Sequence, residues 1–188
     1  MFLFKSKKKV ISKLSIGLCL LFGLLQMSCT TLFWKKYEHP SFFFSFKHPK
    51  SWQVVEESSF QTQLSILLSV DDPIFKPNIN FVIQPLSKLS LEQLSYLANK
   101  QLIKLLSGFE QLSQTEIIVS GFTAIELRSK YEALNDPRII RTSIFKTQDL
   151  EYTITFTCRQ SQEEQLLQNY LKFIKTLKVP KSVASIRK

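Results

Sequence analysis

Apolar residues fall at every second position through most of this chain and at every third or fourth position in two stretches, so strands and helices can be read before any chemistry. In "SFFFSFKHP" the residues Phe42, Phe44 and Phe46 share one strand face, and His48 with Pro49 ends that strand. "SWQVVEES" is expected to return beside it as a hairpin partner. "QLSILLSV" predicts a third strand, closed by the turn residues Asp71, Asp72 and Pro73. "NINFVIQPL" predicts a fourth, ended by Pro85.

Ser90 then opens the clearest helix. Ser90 and Gln93 have the spacing of a capping box, and Leu91, Leu94, Ala98, Leu102 and Leu105 form a stripe expected to face the core. Gly108 is the expected stop. A second strand region follows, in which "TEIIV" and "FTAIEL" flank the turn signal Ser120-Gly121, and "IIRTSIFKT" pairs with "LEYTITFTC" across Gln148 and Asp149. Ser161 and Glu164 have capping-box spacing before a last helix, with Leu167, Tyr170, Leu171, Ile174 and Leu177 along one face. Four strands, a helix, four strands and a helix predict an α+β domain: a mainly antiparallel β-sheet covered by two amphipathic helices. A chain of 188 residues suits one such domain.

The first 28 residues follow a different pattern. Lys5, Lys7, Lys8, Lys9 and Lys13 precede an apolar run from Leu14 to Leu25, and small or polar residues follow, the three-part build of an export signal. The run is shorter than the roughly 20 apolar residues of a membrane helix, which favours a cleaved signal. "LLQMSC" resembles the lipobox of bacterial lipoproteins: Ser28 is the small residue before Cys29, and Leu24 and Leu25 are the aliphatic residues upstream. Gln26 and Met27 depart from the usual order. Cys29 is the expected lipidation site, carrying an acyl chain such as palmitate and tying the chain to a membrane. A signal anchor over Leu14 to Trp34 is the alternative, and Gln26, Ser28, Thr30 and Thr31 make its second half polar. Thr30 is not the aspartate associated with inner-membrane retention in enteric bacteria, so the periplasmic side of the outer membrane is the favoured address. Residues 1–28 thus read as signal peptide, 29–40 as anchor and linker, 41–179 as the folded domain and 180–188 as a frayed basic tail.

The formal charge of +10 changes meaning once the leader is set aside. Without its five lysines, twenty basic residues face fifteen acidic ones, a balance of +5. Lys178, Lys181, Arg187 and Lys188 carry part of that excess near the C-terminus. The charges of the body read as a solvated face, and no nucleic-acid partner is expected; a binder of anionic surfaces driven by the tail is the weaker alternative. Four glycines and sixteen phenylalanines leave little material for phosphate-cradling loops and much for aromatic packing.

Chemistry-bearing residues are sparse. With Cys29 acylated and Cys19 lost with the leader, Cys158 stands alone. In "EYTITFTCR" it shares the apolar face of Tyr152, Ile154 and Phe156, which makes it a core filler rather than a reactive thiol. His39 and His48 each precede a proline and read as turn residues rather than a metal pair. Asp71 and Asp72 read as a solvated turn rather than an acid/base couple. No nucleophile elbow, Cys-x-x-Cys pair or P-loop occurs in the sequence. The expectation is a non-catalytic protein without metal or cofactor.

Several stretches resemble one family. "FSFKHPKSWQVV" is similar to the opening hairpin of the Mog1/PsbP-like domains, with His48 where the family often has Tyr. "INFVIQPLSKLSLEQL" looks like their strand and serine-capped helix, "GFTAIELRSKY" like a later strand, and "YTITFTC" with the closing "FIKTLKV" like their last elements. The resemblance covers about residues 41–179 and implies an α/β/α sandwich. It also implies a role among non-catalytic accessory and binding proteins, which in this family include photosystem subunits, a GTPase-binding factor and lipid-anchored envelope proteins. Fold does not hand over function in so scattered a set. The leading expectation is an accessory protein supporting another envelope protein, and the alternative is a carrier or sensor of a small apolar ligand held between sheet and helix.

Overall fold

The computed structural model describes residues 33–56, 62–70 and 72–182. The chain divides into two compact units, 1–35 and 36–188, and the fold is that of the second. Its elements run β1 (Trp34–Glu38), β2 (Ser45–Pro49), β3 (Gln53–Glu56), β4 (Thr62–Leu67), β5 (Asn78–Pro85), α1 (Leu91–Leu105), β6 (Glu110–Val119), β7 (Phe122–Ala133), β8 (Asp136–Lys146), β9 (Leu150–Arg159), a 3₁₀ turn at Gln160–Gln162 and α2 (Glu163–Thr176). A seven-stranded sheet has the order β3-β4-β5-β9-β8-β7-β6, and β1 with β2 makes a separate two-stranded sheet. All neighbours in the large sheet are antiparallel.

Topology places the helices. β5 lies inside the sheet and β6 at its far edge, so the intervening chain must cross β9, β8 and β7. α1 makes that crossing and lies on β7 and β8. α2 follows β9 and returns over the opposite face, against β9 and β2. Strand alternation assigns the two faces: Ile79, Phe81 and Ile83 of β5 pair with Phe156, Ile154 and Tyr152 of β9 on the α2 side. Val82 and Thr153 pair on the α1 side.

The α2 side holds an aromatic core. Phe44 stacks on Phe81 at 5.0 Å, Phe173 of α2 meets Phe46 edge-on at 5.0 Å, and Tyr170 stacks on Phe156 at 4.6 Å. All six side chains are buried to 1% exposure or less. Cys158 is fully buried in the same layer, as its place in the alternation predicts. Across β7, β8 and α2, the carboxylate of Glu163 holds Arg128 and Arg141, and Arg141 also holds Glu126 at 2.8 Å.

Several expectations are corrected. β2 pairs with β1 rather than with β3, which pairs with β4. The reason is layering: Phe44 and Phe46 stack on Phe81 and Phe46 meets Phe173 edge-on, so this segment caps the sheet with side chains instead of extending its ladder. Phe42 is not in the strand, because the chain turns at Phe43 (φ +54°) and His39 Nδ1 accepts from the backbone N–H groups of Ser41 and Phe42. Within the stretch expected as linker lies β1; "WKKYE" has no alternation, and its place is set by Tyr37 stacking on Phe46 at 5.1 Å. The second capping box does not form, since Ser161 sits in the 3₁₀ turn and α2 begins at Glu163 with no side-chain cap. At the C-terminus, Lys181 accepts a backbone bond from Gln148 and Ser182 donates to Asp149, so the start of the basic tail is docked.

Candidate binding site

α1 is built as its sequence predicts at its start and differs in its burial. Ser90 Oγ accepts from Gln93 N while Gln93 Oε1 accepts from Ser90 N, which completes the capping box. The helix ends just before Gly108, with Leu106 as an extended cap, and Gly108 takes the left-handed φ of +60° in the turn that follows. Yet Ser95 is the one residue of α1 that is buried, and Leu105, expected on the core stripe, is 72% exposed. The helix therefore stands off the sheet.

Between them lies a cleft of about 430 Å³. Val82, Ile144 and Thr153 form its floor, Leu94, Leu97, Ala98 and Gln101 its helical wall, and Gln84, Ser87, Leu89 and Glu151 its end. A polar clasp fixes that end. Ser87 N donates to Glu151 Oε1 at 2.7 Å, and Lys146 Nζ donates to the carbonyls of Ser87 at 3.0 Å and Leu89 at 2.5 Å. Lys146 also pairs with Glu151 at 3.3 Å. Burial pushes the Glu151 carboxyl up, and the hydrogen bonds from Ser87 with the Lys146 charge outweigh it, holding the group below the ordinary carboxylate value. The cleft thus joins apolar walls to one buried carboxylate, an arrangement that can enclose an apolar or amphiphilic group.

Outside the cleft the helix carries a second apolar surface. Tyr96 (63% exposed), Leu97 and Ile103 project into solvent, and a depression of about 400 Å³ lined by Leu89, Glu92, Gln93, Tyr96 and Leu97 runs beside Tyr96. Leu89 and Leu97 line both hollows. Helical spacing explains the second surface: Tyr96 and Ile103 are seven residues apart, on a stripe displaced from the one read as core-facing.

The residues singled out for chemistry do not converge here. Cys29 lies outside the described residues. Burial pushes the Cys158 thiol up to about 12, leaving it protonated. His39 serves its own turn, and His48, also buried, shares a hydrogen bond between Nδ1 and the Pro49 carbonyl. Asp72 accepts from the N–H groups of Ile74 and Phe75 and pairs with Arg159 at 2.8 Å. Among the described residues no group of three potential metal ligands forms, and no helix is long and apolar enough to cross a membrane. Glu151, Lys146 and Ser87 carry no local signal in the sequence, because β9, β8 and the loop after β5 meet only in the sheet.

A seven-stranded antiparallel sheet with a helix on each face defines the PsbP-like α+β fold, and the resemblance seen in the sequence stands at the level of fold. The chain is similar to the structure of LpqN of Mycobacterium tuberculosis, described as involved in cell envelope biogenesis, at 17% identity and TM-score 0.62, with 78% of this chain and 92% of that one covered. It is similar also to the cyanobacterial PsbP (CyanoP) of Synechocystis sp. PCC 6803 at 12% identity and TM-score 0.61, again over 78% and 92%. The protein PA94 of Pseudomonas aeruginosa shares the fold at 15% identity and TM-score 0.54, over 80% of this chain and 99% of that one. No family model and no curated protein matches the sequence.

Proposed function

We propose that this protein is a lipid-anchored accessory protein of a bacterial cell envelope, whose folded domain binds and supports another envelope protein without catalysis. The observation that carries the reading is the apolar outer surface of α1, where Tyr96 and Ile103 are exposed on one stripe with Leu97 beside them. The leader with its lipobox-like "LLQMSC" supports the address, with the acyl chain on Cys29 and the domain on the periplasmic side. The fold shared with LpqN, a protein described as involved in envelope biogenesis, is consistent with that setting.

Two measurements test it. A photo-crosslinking residue at Tyr96 in growing cells is expected to capture one discrete envelope protein that the same probe at exposed Gln168 does not. Equal capture from both positions overturns the docking role of α1. The N-terminal peptide from native membranes is expected to begin at a diacylglyceryl-modified Cys29, and an unmodified peptide beginning in the leader overturns the lipid anchor.

The cleft supports a second reading, a carrier or sensor of a small apolar ligand held against Val82, Leu94 and Ile144. That reading expects a ligand to travel with the native protein. An extracted mass equal to the lipidated polypeptide alone rejects it.

A further inference from the structure

Natural sheets guard their edges with charged side chains (lysine above all), proline, β-bulges, inward charges or short strands. β6 carries few of these and is marked only by Glu110, Glu116 and one bulge near its start. It is a ten-residue edge strand without Lys or Pro, and from Glu110 to Thr115 every residue is exposed. Its bulge lies at one end, between Gln111 and Ser113, and leaves the stretch from Ser113 to Val119 in regular register with β7.

The hairpin decides which backbone groups are free. Ser120 (φ +55°) and Gly121 (φ +84°) form a two-residue loop of the type whose flanking residues, Val119 and Phe122, are a hydrogen-bonded pair. Counting back, Ile117, Thr115 and Ser113 bond inward to β7. Gln114, Glu116 and Ile118 turn their N–H and C=O groups to the outer edge, where no strand among the described residues pairs with β6.

We propose that this edge pairs with the same edge of a second copy, antiparallel, about a two-fold axis through Thr115. The two exposed apolar residues of the strand, Ile118 (65%) and the bulge residue Leu112 (37%), lie three positions either side of Thr115, Leu112 just beyond the regular stretch that begins at Ser113. The axis therefore brings Ile118 to the end of the regular stretch beside the partner's bulge residue Leu112, and Leu112 beside the partner's Ile118. It sets Gln114 against the partner's Glu116, and these are residues whose backbone groups point outward, as a hydrogen-bonded pair requires. The two Thr115 residues face each other as a non-hydrogen-bonded pair. Neighbouring axes lose this match: one through Glu116 opposes the two Glu116 carboxylates, and one through Gln114 sets Leu112 against the partner's Glu116. Self-complementarity in apolar character, charge and hydrogen-bond parity at one register is what a two-fold interface demands.

Cysteine scanning on the full chain tests the register. A non-hydrogen-bonded antiparallel pair brings Cα atoms to about 4.5 Å, within disulfide reach. Thr115→Cys in native membranes under mild oxidation is expected to give a disulfide-linked dimer several-fold above the wild-type chain, which controls for linkage through Cys19 or Cys29. Ser113→Cys and Ile117→Cys alone are expected to stay at the wild-type level, since each would lie about 13 Å from itself across the axis. Mixed together, those two are expected to link to each other. Ile118→Lys placed beside Thr115→Cys is expected to cut the linked fraction several-fold. Linkage of Thr115→Cys at the wild-type level, linkage of Ser113→Cys as strong as that of Thr115→Cys, or indifference to Ile118→Lys each overturns the proposal. Ser113, Thr115 and Ile118 are exposed on the edge strand and Ile117 is half-buried there, so none of the substitutions removes a fully buried side chain.

Discussion

Replacing Glu163 by Gln removes one charge from a cluster that ties the first turn of α2 to β7 and β8. In the wild type, Glu163 accepts from Arg128 Nε at 2.8 Å and Nη2 at 2.5 Å, and from Arg141 Nε at 3.2 Å and Nη2 at 2.9 Å. The side chains of Glu163 and Arg141 are 12% and 14% exposed, so water replaces little of what is lost. Breaking a buried pair by removing one partner costs about 3–5 kcal/mol. Two features lower that figure: Arg128 is 30% exposed and can rehydrate, and Arg141 keeps Glu126 at 2.8 Å. The expected loss is about 2–4 kcal/mol, against about 1–2 kcal/mol for Glu126→Gln, which leaves Arg141 its stronger partner. Urea unfolding followed by near-ultraviolet circular dichroism reads both. The hydrogen bonds from Arg128 lower the Glu163 carboxyl below its ordinary value despite burial. Its contribution is therefore fully present above the unfolded carboxylate value of about 4.3 and is lost as pH falls through the folded value, where wild type and Glu163→Gln should converge. A loss under about 1 kcal/mol at pH 7, or a loss equal to that of Glu126→Gln, refutes the assignment of Glu163 as the hub.

Three further outcomes are expected. Phe173→Ala removes a fully buried ring that meets Phe46, Phe81 and Trp52, and is expected to cost about 3–5 kcal/mol in the same unfolding assay. Burial lowers the imidazole pKa of His39, so the unfolded state binds more protons as pH falls below about 6.5 and stability declines there; His39→Asn keeps an acceptor for the turn and should flatten the pH dependence between 7 and 5.5 relative to wild type. Leu134 and Asn135 form a two-residue β7–β8 turn at φ +54° and +61°, and Leu134 is 93% exposed, so Leu134→Gly should raise stability by about 0.5–1 kcal/mol, read as a shift of the urea midpoint at constant slope.

Local chemistry made much of this protein legible from its residues alone. The two-residue alternation of β4, β5, β8 and β9, the Ser90 capping box, the Gly108 stop and the Ser120-Gly121 turn act over a few neighbouring residues, so their signals lie in the order of the chain. The burial of Cys158 follows from the same alternation. The lipobox-like stretch before Cys29 is local too, and it bears on address, which folding does not alter. What remained hidden depends on residues distant in sequence. β2 leaves the large sheet because four phenylalanines from three segments pack together there, and a pattern confined to one segment cannot say whether it extends a ladder or caps a face. Helical periodicity placed a stripe on α1 but not the depth of its contact, which the crossing over β9, β8 and β7 decided, leaving the cleft beneath it and Tyr96 outside. Glu151, Lys146 and Ser87 became one clasp, and β6 became an edge, through strand order, a global property that local propensity leaves open.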